Sequence, residues 1–419
     1  MRKQKIWIAL ALVLVIGAPL FSTGSRQTQT SKRTVSFALW DEVQYPVFQE
    51  IVKKFTAETG INVDLQLTPW GQYWTKLDAA ASAGNAADVI WMNIFLPKYA
   101  DAGIIEPIEP YFVKDKLDKS DWSKAMVDLY TYKGSLYTMP KGMDVVVVAY
   151  NKAIFDKYGV AYPREGWTWQ DFRRIGGELR DKIKSGGGSE YPALMELDYQ
   201  PSYLQFWLQD GVVPFSPTAT TTQISRPEAT KAFDDVLALI DENILPSFTV
   251  LSDTKGTDLF ISGRGAMLFV GSWKSVVLDN ASFASRIGLI PMPSRSVSNV
   301  CALGGISYAM NARAADKDAA WQLIKYLGGE TSNRLQAEGR IEIPAYLKAQ
   351  QYYIPSFKNI DPTAFITQSR SATVYPNHNK FVEIYSPMED TAVEIFSKRK
   401  TSAQGLKDLA AVIDGILKQ

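Results

Sequence analysis

Apolar and polar residues alternate in two rhythms along the chain, and the succession of these rhythms predicts strands and helices in turn. Residues 35–39 alternate with period two, which predicts a first strand. After Pro46 the apolar residues recur every three or four positions, which predicts a helix that Gly60 ends. The same rhythm continues with a strand over 61–67, a helix over 72–82 and a strand over 89–92. Such strand–helix–strand units pair their strands in parallel, with helices on both faces of the sheet.

Further along, the pattern predicts a second set of strands and helices. The unbroken apolar run from Val145 to Tyr150 is typical of a strand buried on both faces. Thr168 and Asp171 have the spacing of a capping box and predict a helix that runs to about Ile183. Other predicted elements are helices starting after Asn151, at Pro227, after Asp316 and at about Ser402, and strands over 267–270 and 287–290. The chain is therefore predicted to be α/β with two sheets, although chain order does not say which strands share a sheet.

The N-terminus has the pattern of an export signal. Three basic residues precede an apolar run over 6–16, and Ser22 and Gly24 occupy the small-residue positions before a cleavage site. This predicts a signal peptide over 1–24 and a flexible lead over 25–33. The apolar run is short for a membrane span, which needs roughly 20 residues, so a retained anchor is the less favoured alternative.

Composition removes several classes of function. The 419 residues carry a net charge of +1, which offers no general field for nucleic acid. The single cysteine, Cys301, cannot form an intrachain disulfide or a thiolate zinc site, and the single histidine, His378, excludes paired-imidazole metal sites. No cofactor or metal is therefore expected.

A series of short motifs, in order and at comparable spacing, resembles the extracellular solute-binding proteins of ABC sugar importers, the group that contains maltose-binding protein. The motifs are Trp40-Asp41, residues 55–63, 81–89, 99–103, 150–155 and 167–172, Gly265-Ala266-Met267, Gly271-Ser272-Trp273, Leu303-Gly304-Gly305 and residues 320–327. They cover nearly all of the chain after the predicted signal. Two positions depart from the family pattern: Thr23 replaces the lipidated cysteine of many members, and Ala87 replaces a common proline. Without that cysteine we expect a freely soluble exported protein in the periplasmic or extracytoplasmic space.

The resemblance implies a periplasmic-binding-protein type II fold, with two lobes that are each a mostly parallel sheet flanked by helices. The chain would cross the hinge near Asp144, Gly304 and Ile343. The N-lobe would combine 34–143 with 303–344, and the C-lobe 145–302 with 345–419. The implied function is that of a monomeric, non-enzymatic binding component of an ABC transporter, which captures a carbohydrate and delivers it to the membrane permease subunits.

Four candidate ligand residues lie at predicted strand ends or beside the hinge. Trp40 and Asp41 end the first strand, where open α/β sheets present ligands, although an Asp that caps a loop beside a packed Trp is an equal alternative. Asn93 follows the third strand and resembles a polar position of the family. Asp144 precedes the valine strand, and a cleft position is favoured because an unpaired buried charge is costly.

The other candidates lie later in the chain. Gln200 belongs to a polar-aromatic loop, Trp273 matches the family's sugar-stacking tryptophan, and Gly304 and Gly305 suit either backbone contacts to hydroxyls or a hinge. His378 is retained as a minor candidate, because a lone histidine is more often structural. A separate cluster of Trp70, Tyr73 and Trp74 is expected to pack in the core, with a second sugar-stacking surface as the alternative.

Two alternative functions remain open at this point. The same clamp could hold a polyamine, a metal ion or a peptide, since Asp41, Asp144 and Asp198 do not exclude a cation. A secreted carbohydrate-active enzyme could use paired carboxylates such as Asp41 and Glu42. Turnover of an oligosaccharide separates an enzyme from a receptor, and a ligand screen separates the solutes.

Overall fold

The computed structural model describes residues 33–216 and 218–419. The predicted signal peptide and nearly all of the predicted lead therefore lie outside the described residues. The strands are β1 (Thr34–Leu39), β2 (Asn62–Leu67), β3 (Val89–Met92), β4 (Ile105–Glu106), β5 (Thr131–Tyr132), β6 (Ser135–Leu136), β7 (Thr138–Asp144), β8 (Val146–Asn151), β9 (Met267–Gly271), β10 (Ile287–Ile290), β11 (Ala302–Asn311), β12 (Ile343–Pro344) and β13 (Thr373–Val374).

Helices separate most of these strands. They are α1 (Tyr45–Thr59), α2 (Trp70–Ser82), α3 (Leu96–Asp101), α4 (Glu109–Lys114), α5 (Lys124–Leu129), α6 (Lys152–Tyr158), α7 (Trp169–Ser185), α8 (Tyr203–Gln209), α9 (Pro227–Asp241), α10 (Phe248–Asp253), α11 (Gly256–Ile261), α12 (Ser275–Asp279), α13 (Lys317–Gly328), α14 (Glu330–Glu338), α15 (Tyr353–Ser356), α16 (Thr363–Arg370), α17 (Phe381–Phe396) and α18 (Ser402–Leu417). Short 3-10 segments are Lys119–Asp121, Ser272–Lys274, Ala284–Arg286 and Leu347–Tyr352.

Local signals in the sequence account for several of these boundaries. Gly60 ends α1 in the left-handed conformation, with φ of 73°, which glycine adopts without steric cost. The side chain of Asn151 accepts the Ala153 N–H and starts α6. Thr168 and Asp171 form the predicted capping box at the start of α7.

The larger sheet has the strand order β12-β7-β11-β3-β1-β2, and β4 and β13 also pair with β11. Its central strands pack against α1 through aromatic rings. The Phe37 ring of β1 lies 5.8 Å from that of Phe48 in α1 and 6.0 Å from that of Tyr308 in β11. Edge-to-face contacts of this kind add to the stabilisation from burying the rings. This sheet and its helices form one lobe.

The smaller sheet has the order β10-β8-β9, with the predicted valine strand at its centre. Residues 146–149 of β8 are fully buried. The Phe269 ring of β9 lies 5.0 Å from Phe172 of α7 and 5.7 Å from Phe206 of α8. This sheet and its helices form the core of a second lobe.

The prediction that each lobe has a mostly parallel sheet is wrong in its strand directions. In the larger sheet β1 pairs in parallel with β2 and β3, but β11 runs antiparallel to its neighbours β3 and β7. Both pairings of β8, with β9 and with β10, are antiparallel. The parallel rule holds for consecutive strand–helix–strand units. It does not extend to β8 and β9, which a long helical segment separates, or to β11, which reaches the sheet from the other lobe.

Three chain segments meet side by side where the two sheets adjoin. β7 continues through Val145 directly into β8, so one chain segment links the two sheets. Gly304 of β11 lies opposite Asp144 of β7, and Ile343 of β12 lies opposite Met143. These are the three places where crossings are predicted, and we call this junction the hinge.

Among the described residues, no helix combines the length and the apolar character that crossing a bilayer requires.

Candidate ligand-binding site

Asp144 is a half-buried residue at the hinge whose carboxyl oxygen Oδ1 is buried. Its Oδ1 has no hydrogen-bond partner among the described residues, and the residue lies opposite Gly304 in the sheet. Burial raises the pKa of the Asp144 carboxyl, the Lys141 ammonium acts against that rise, and the Asp41 carboxylate adds to it. A buried acceptor without a donor is costly. Asp144 is therefore suited to a ligand that brings a hydrogen-bond donor.

Gln200 presents the complementary group next to Gly304. Its Nε2 is buried and has no acceptor among the described residues. This atom lies 3.1 Å from where a Cβ on Gly304 would stand, and Tyr375 lies 3.4 Å from the same point. An unpaired donor and an unpaired acceptor thus belong to residues that both adjoin one glycine. A hydroxyl group can satisfy both, because it donates one hydrogen bond and accepts others.

An ion pair that the sequence analysis missed lies beside Asp144. The Lys141 ammonium contacts the Glu342 carboxylate, and both side chains are at most 1% exposed. The Lys141 Nζ also lies 5.1 Å from the Trp91 ring centroid, a cation–π distance. Burial lowers the pKa of Lys141, while the carboxylates of Asp144 and Asp41 act in the opposite direction. Because Glu342 already matches the Lys141 cation, the charge left on Asp144 and Asp41 is negative.

Trp40 and Asp41 follow β1 and have different surroundings. The Trp40 ring lies 5.0 Å from Trp91, so it packs against the ring that also contacts Lys141. The Asp41 Oδ1 accepts the backbone N–H groups of Val43 at 2.8 Å and Gln44 at 3.2 Å. The Asp41 carboxylate therefore caps its own loop, as in the alternative to ligand binding given above. Its charge still acts on Asp144. A contact from Asp41 to a ligand stays a prediction.

Asn93 follows β3 and orders the loop that reaches the second lobe. Its Oδ1 accepts the Phe95 N–H at 2.9 Å, as in an Asx turn. The Phe95 ring lies 5.8 Å from Phe381 and 5.8 Å from Tyr385, both in α17. Since α17 packs on α18 and α9, these ring contacts connect the loop after β3 to that group of helices. A ligand contact from Asn93 stays a prediction.

Trp273 lies two residues after the end of β9, in the 3-10 segment Ser272–Lys274, and covers a glycine. A Cβ on Gly271 would overlap the Trp273 indole, so the glycine allows the ring to lie flat against the chain. Ser272 holds this turn at the hinge, because its Oγ accepts the Val145 N–H at 3.2 Å. The indole is partly exposed, which leaves surface for a stacking partner.

Two other candidates differ in their surroundings. The Gly305 carbonyl accepts the Tyr130 hydroxyl hydrogen at 2.7 Å, and a Cβ on Gly305 would overlap the Gly142 carbonyl oxygen. His378 is buried, and its Nδ1 accepts the Lys380 N–H at 3.1 Å. Burial lowers the pKa of His378, and the backbone of Ala219 opposes that shift. None of the contacts described for His378 involves another candidate residue.

Another carboxylate missed from the sequence, that of the half-buried Glu389, lies in α17 beside the Gln200 loop. The Glu389 Oε1 accepts the Tyr203 hydroxyl hydrogen at 2.9 Å and the Tyr199 N–H at 2.9 Å. Burial raises the pKa of Glu389 to about 7, and the neighbouring Asp198 and Asp390 carboxylates add to the rise. The signal for this group was weak, because a Glu on a helix usually faces solvent.

Glu389 is expected to make the stability of the protein depend on pH. Between about pH 4.5 and pH 7 the folded state keeps a proton that the unfolded state releases, so stability falls as pH rises through this window. Glu389→Gln keeps the acceptor oxygen and removes the ionisation. We expect the variant to gain about 1–3 kcal/mol over the parent between pH 4 and pH 8. Urea unfolding at several pH values measures this, and identical pH profiles would contradict it.

The described residues contain no cluster of three His, Cys, Asp or Glu side chains placed to hold a metal ion.

Two α/β lobes joined by three adjacent segments, with unpaired polar atoms at the junction, define a two-lobed binding protein of the periplasmic-binding-protein type II fold. A family model for bacterial extracellular solute-binding proteins matches residues 40–334, and the chain belongs to this family. Among its relatives, a binding protein of Brucella abortus (strain 2308) is 24% identical, over 89% of this chain and 90% of that protein. The erythritol/L-threitol-binding protein of Mycolicibacterium smegmatis is 23% identical, over 78% and 72%.

A solved structure has the same fold. The ABC substrate-binding protein of Listeria monocytogenes, in complex with cycloalternan, superposes with a TM-score of 0.83 and 23% identity, covering 92% of this chain and 98% of that one. The family model confirms the resemblance to extracellular solute-binding proteins, and the superposition confirms the two-lobed fold class.

Proposed function

We propose that this protein is the substrate-binding component of an ABC transporter, which captures a sugar or oligosaccharide by hinge closure and delivers it to membrane permease subunits. The observation that carries the proposal is the pair of unpaired buried atoms, Asp144 Oδ1 and Gln200 Nε2, which belong to residues that both adjoin Gly304 at the hinge. A sugar hydroxyl is both donor and acceptor and can satisfy the two together.

The lobes are proposed to follow the predicted division, with 34–143 and 303–344 in the N-lobe and 145–302 and 345–419 in the C-lobe. The proposed ligand contacts are Trp40, Asp41, Asn93, Asp144, Gln200, Trp273, Gly304 and Gly305, with His378 as a minor member. Ligand bridges the lobes and stabilises the closed form by its higher affinity for that form. The protein is proposed to act as a monomer, exported by a signal peptide over 1–24, and to release its ligand chemically unchanged.

The charge of the site favours an uncharged ligand. Glu342 matches Lys141, and Asp144 and Asp41 leave a negative balance that opposes a phosphate or carboxylate group. Carboxylate oxygens accept hydrogen bonds from the hydroxyl groups of a saccharide, and its ring faces can stack on Trp40 and Trp273. The polyols and the saccharide named for two of the proteins compared above agree with this chemistry.

A ligand screen tests the proposal. Saccharides and polyols should raise the thermal unfolding midpoint, because a ligand that binds only the native state stabilises it, whereas spermidine, ferric ion and short peptides should not.

For a saccharide that binds, Trp273→Ala should weaken the affinity by about 1–3 kcal/mol in isothermal titration.

Val412→Ala, on the exposed face of α18, is the matched control and should bind as the parent does. A midpoint raised by spermidine or ferric ion alone would favour the same clamp for a different solute. Release of a cleavage product from the bound saccharide, detected by chromatography, would favour the alternative that the protein is a carbohydrate-active enzyme. Unchanged affinity in Trp273→Ala would remove Trp273 from the site.

A further inference from the structure

Trp70 is an exposed aromatic residue next to the proposed site. It is the first residue of α2, and 44% of it is accessible to solvent. The other large apolar residues exposed in the described part of the chain are aliphatic. Core packing was expected for Trp70, Tyr73 and Trp74. Tyr73 is buried and Trp74 partly so, but Trp70 does not follow that expectation.

A continuous row of rings connects Trp70 to the hinge. The Trp70 ring centroid lies 5.4 Å from that of Trp40, and the Trp40 centroid lies 5.0 Å from that of Trp91. The Trp91 ring in turn lies 5.1 Å from the Lys141 ammonium, whose charge acts on Asp144. Trp70 is therefore the exposed end of a row of rings whose inner member, the buried Trp91, contacts Lys141 at the hinge.

The position of Trp70 is fixed and the space beside it is open. Its ring meets Trp40 at 68° and Trp74 at 89°, so two edge-to-face contacts hold it. A Cβ placed on the next residue, Gly71, would meet no atom within 4 Å. A rigid, exposed indole loses little conformational freedom when a ligand stacks on it.

We infer that Trp70 forms an outer subsite, and that the ligand is an oligosaccharide whose inner ring meets Asp144 and Gln200 while an outer ring stacks on Trp70. The inference rests on the proposed function and adds the size of the ligand. A sugar ring suits this surface because its C–H face is apolar and its rim is polar. The inference requires that a single-ring sugar held at the hinge leaves Trp70 uncovered, so that the residue discriminates by chain length.

Affinity as a function of chain length tests the inference. The probes are glucose, maltose, maltotriose and maltotetraose, and galactose with its β-1,4-linked di-, tri- and tetrasaccharides, titrated by isothermal calorimetry. In at least one series the longer sugars should bind the parent about tenfold tighter than the single-ring sugar. Trp70→Ala should remove most of that gain, Trp70→Tyr should keep most of it, and Trp273→Ala should weaken all lengths alike.

Val113→Ala, at a residue 65% exposed on α4, is the control for a lost exposed apolar side chain and should bind as the parent does. An unchanged unfolding midpoint in Trp70→Ala shows that the fold is kept. If saccharides bind but Trp70→Ala affects every length equally, or none, the inference is overturned while the proposed function stands. The same holds if the single-ring sugar binds as tightly as the longer ones. If no saccharide in either series or in the thermal screen binds, both fail.

Discussion

Replacing Glu342 with glutamine is expected to lower the free energy of unfolding by about 3–5 kcal/mol. The substitution keeps the shape of the side chain but leaves the Lys141 ammonium in a site where it is 0% exposed. The Trp91 ring at 5.1 Å and the Asp144 charge offset only part of that cost, because a buried cation needs a close, hydrogen-bonded anion. Urea unfolding measures the change.

A double-mutant cycle separates the ion pair from other effects of the substitution. Lys141→Met should also be strongly destabilising, since it leaves the Glu342 carboxylate buried without its cation. The double variant should be more stable than the sum of the two losses predicts, by more than about 1 kcal/mol. Lys124→Met, which breaks an exposed pair with Asp128, is the control and should change stability by less than about 0.5 kcal/mol. Additive losses in the cycle would show that the two buried groups do not depend on each other.

The elements that could be predicted from the sequence are those that local chemistry determines. Asn151 caps the start of α6 with its side chain, and Gly159 ends the helix in the left-handed conformation that a residue without a Cβ adopts readily. The strands β3 and β10 have the bounds that the apolar pattern predicts. β11 was missed because Gly304 and Gly305 indicate a hinge rather than a ten-residue strand. α17 contains Pro387, which normally argues against a helix.

The site could be predicted only in outline, because its interactions join residues that are distant in the chain. Lys141 and Glu342 are 201 positions apart, and no motif in the sequence around either residue predicts the ion pair. The exposure of Trp70 depends on how the Trp40 and Trp74 rings pack against it, which the spacing of aromatic residues does not reveal. Asp144 was recognisable, since a carboxylate directly before a buried valine strand needs either solvent or a partner.

Gly305→Ala is expected to destabilise the protein by about 3 kcal/mol, whereas Gly304→Ala should cost about 1 kcal/mol or less. A Cβ on Gly305 would overlap the Gly142 carbonyl of β7, and backbone atoms in a paired sheet cannot move aside without breaking the pairing. The Gly305 carbonyl also accepts the buried Tyr130 hydroxyl hydrogen, so a shift of β11 disturbs that bond as well. At Gly304 the nearest atom is the Gln200 Nε2 at 3.1 Å, the end of a flexible side chain.

The two alanine variants therefore separate the two roles that the sequence left open for these glycines. Gly305→Ala should lose stability, measured by urea unfolding, because its glycine keeps the hinge strands close together. Gly304→Ala should fold normally yet weaken saccharide binding in isothermal titration, because the new methyl group displaces the Gln200 amide that is proposed to meet a hydroxyl. Equal stability of the two variants would contradict the close approach of β7 and β11. Unchanged affinity in Gly304→Ala would remove Gln200 from the binding site, since the methyl group and that amide cannot occupy the same space without a shift.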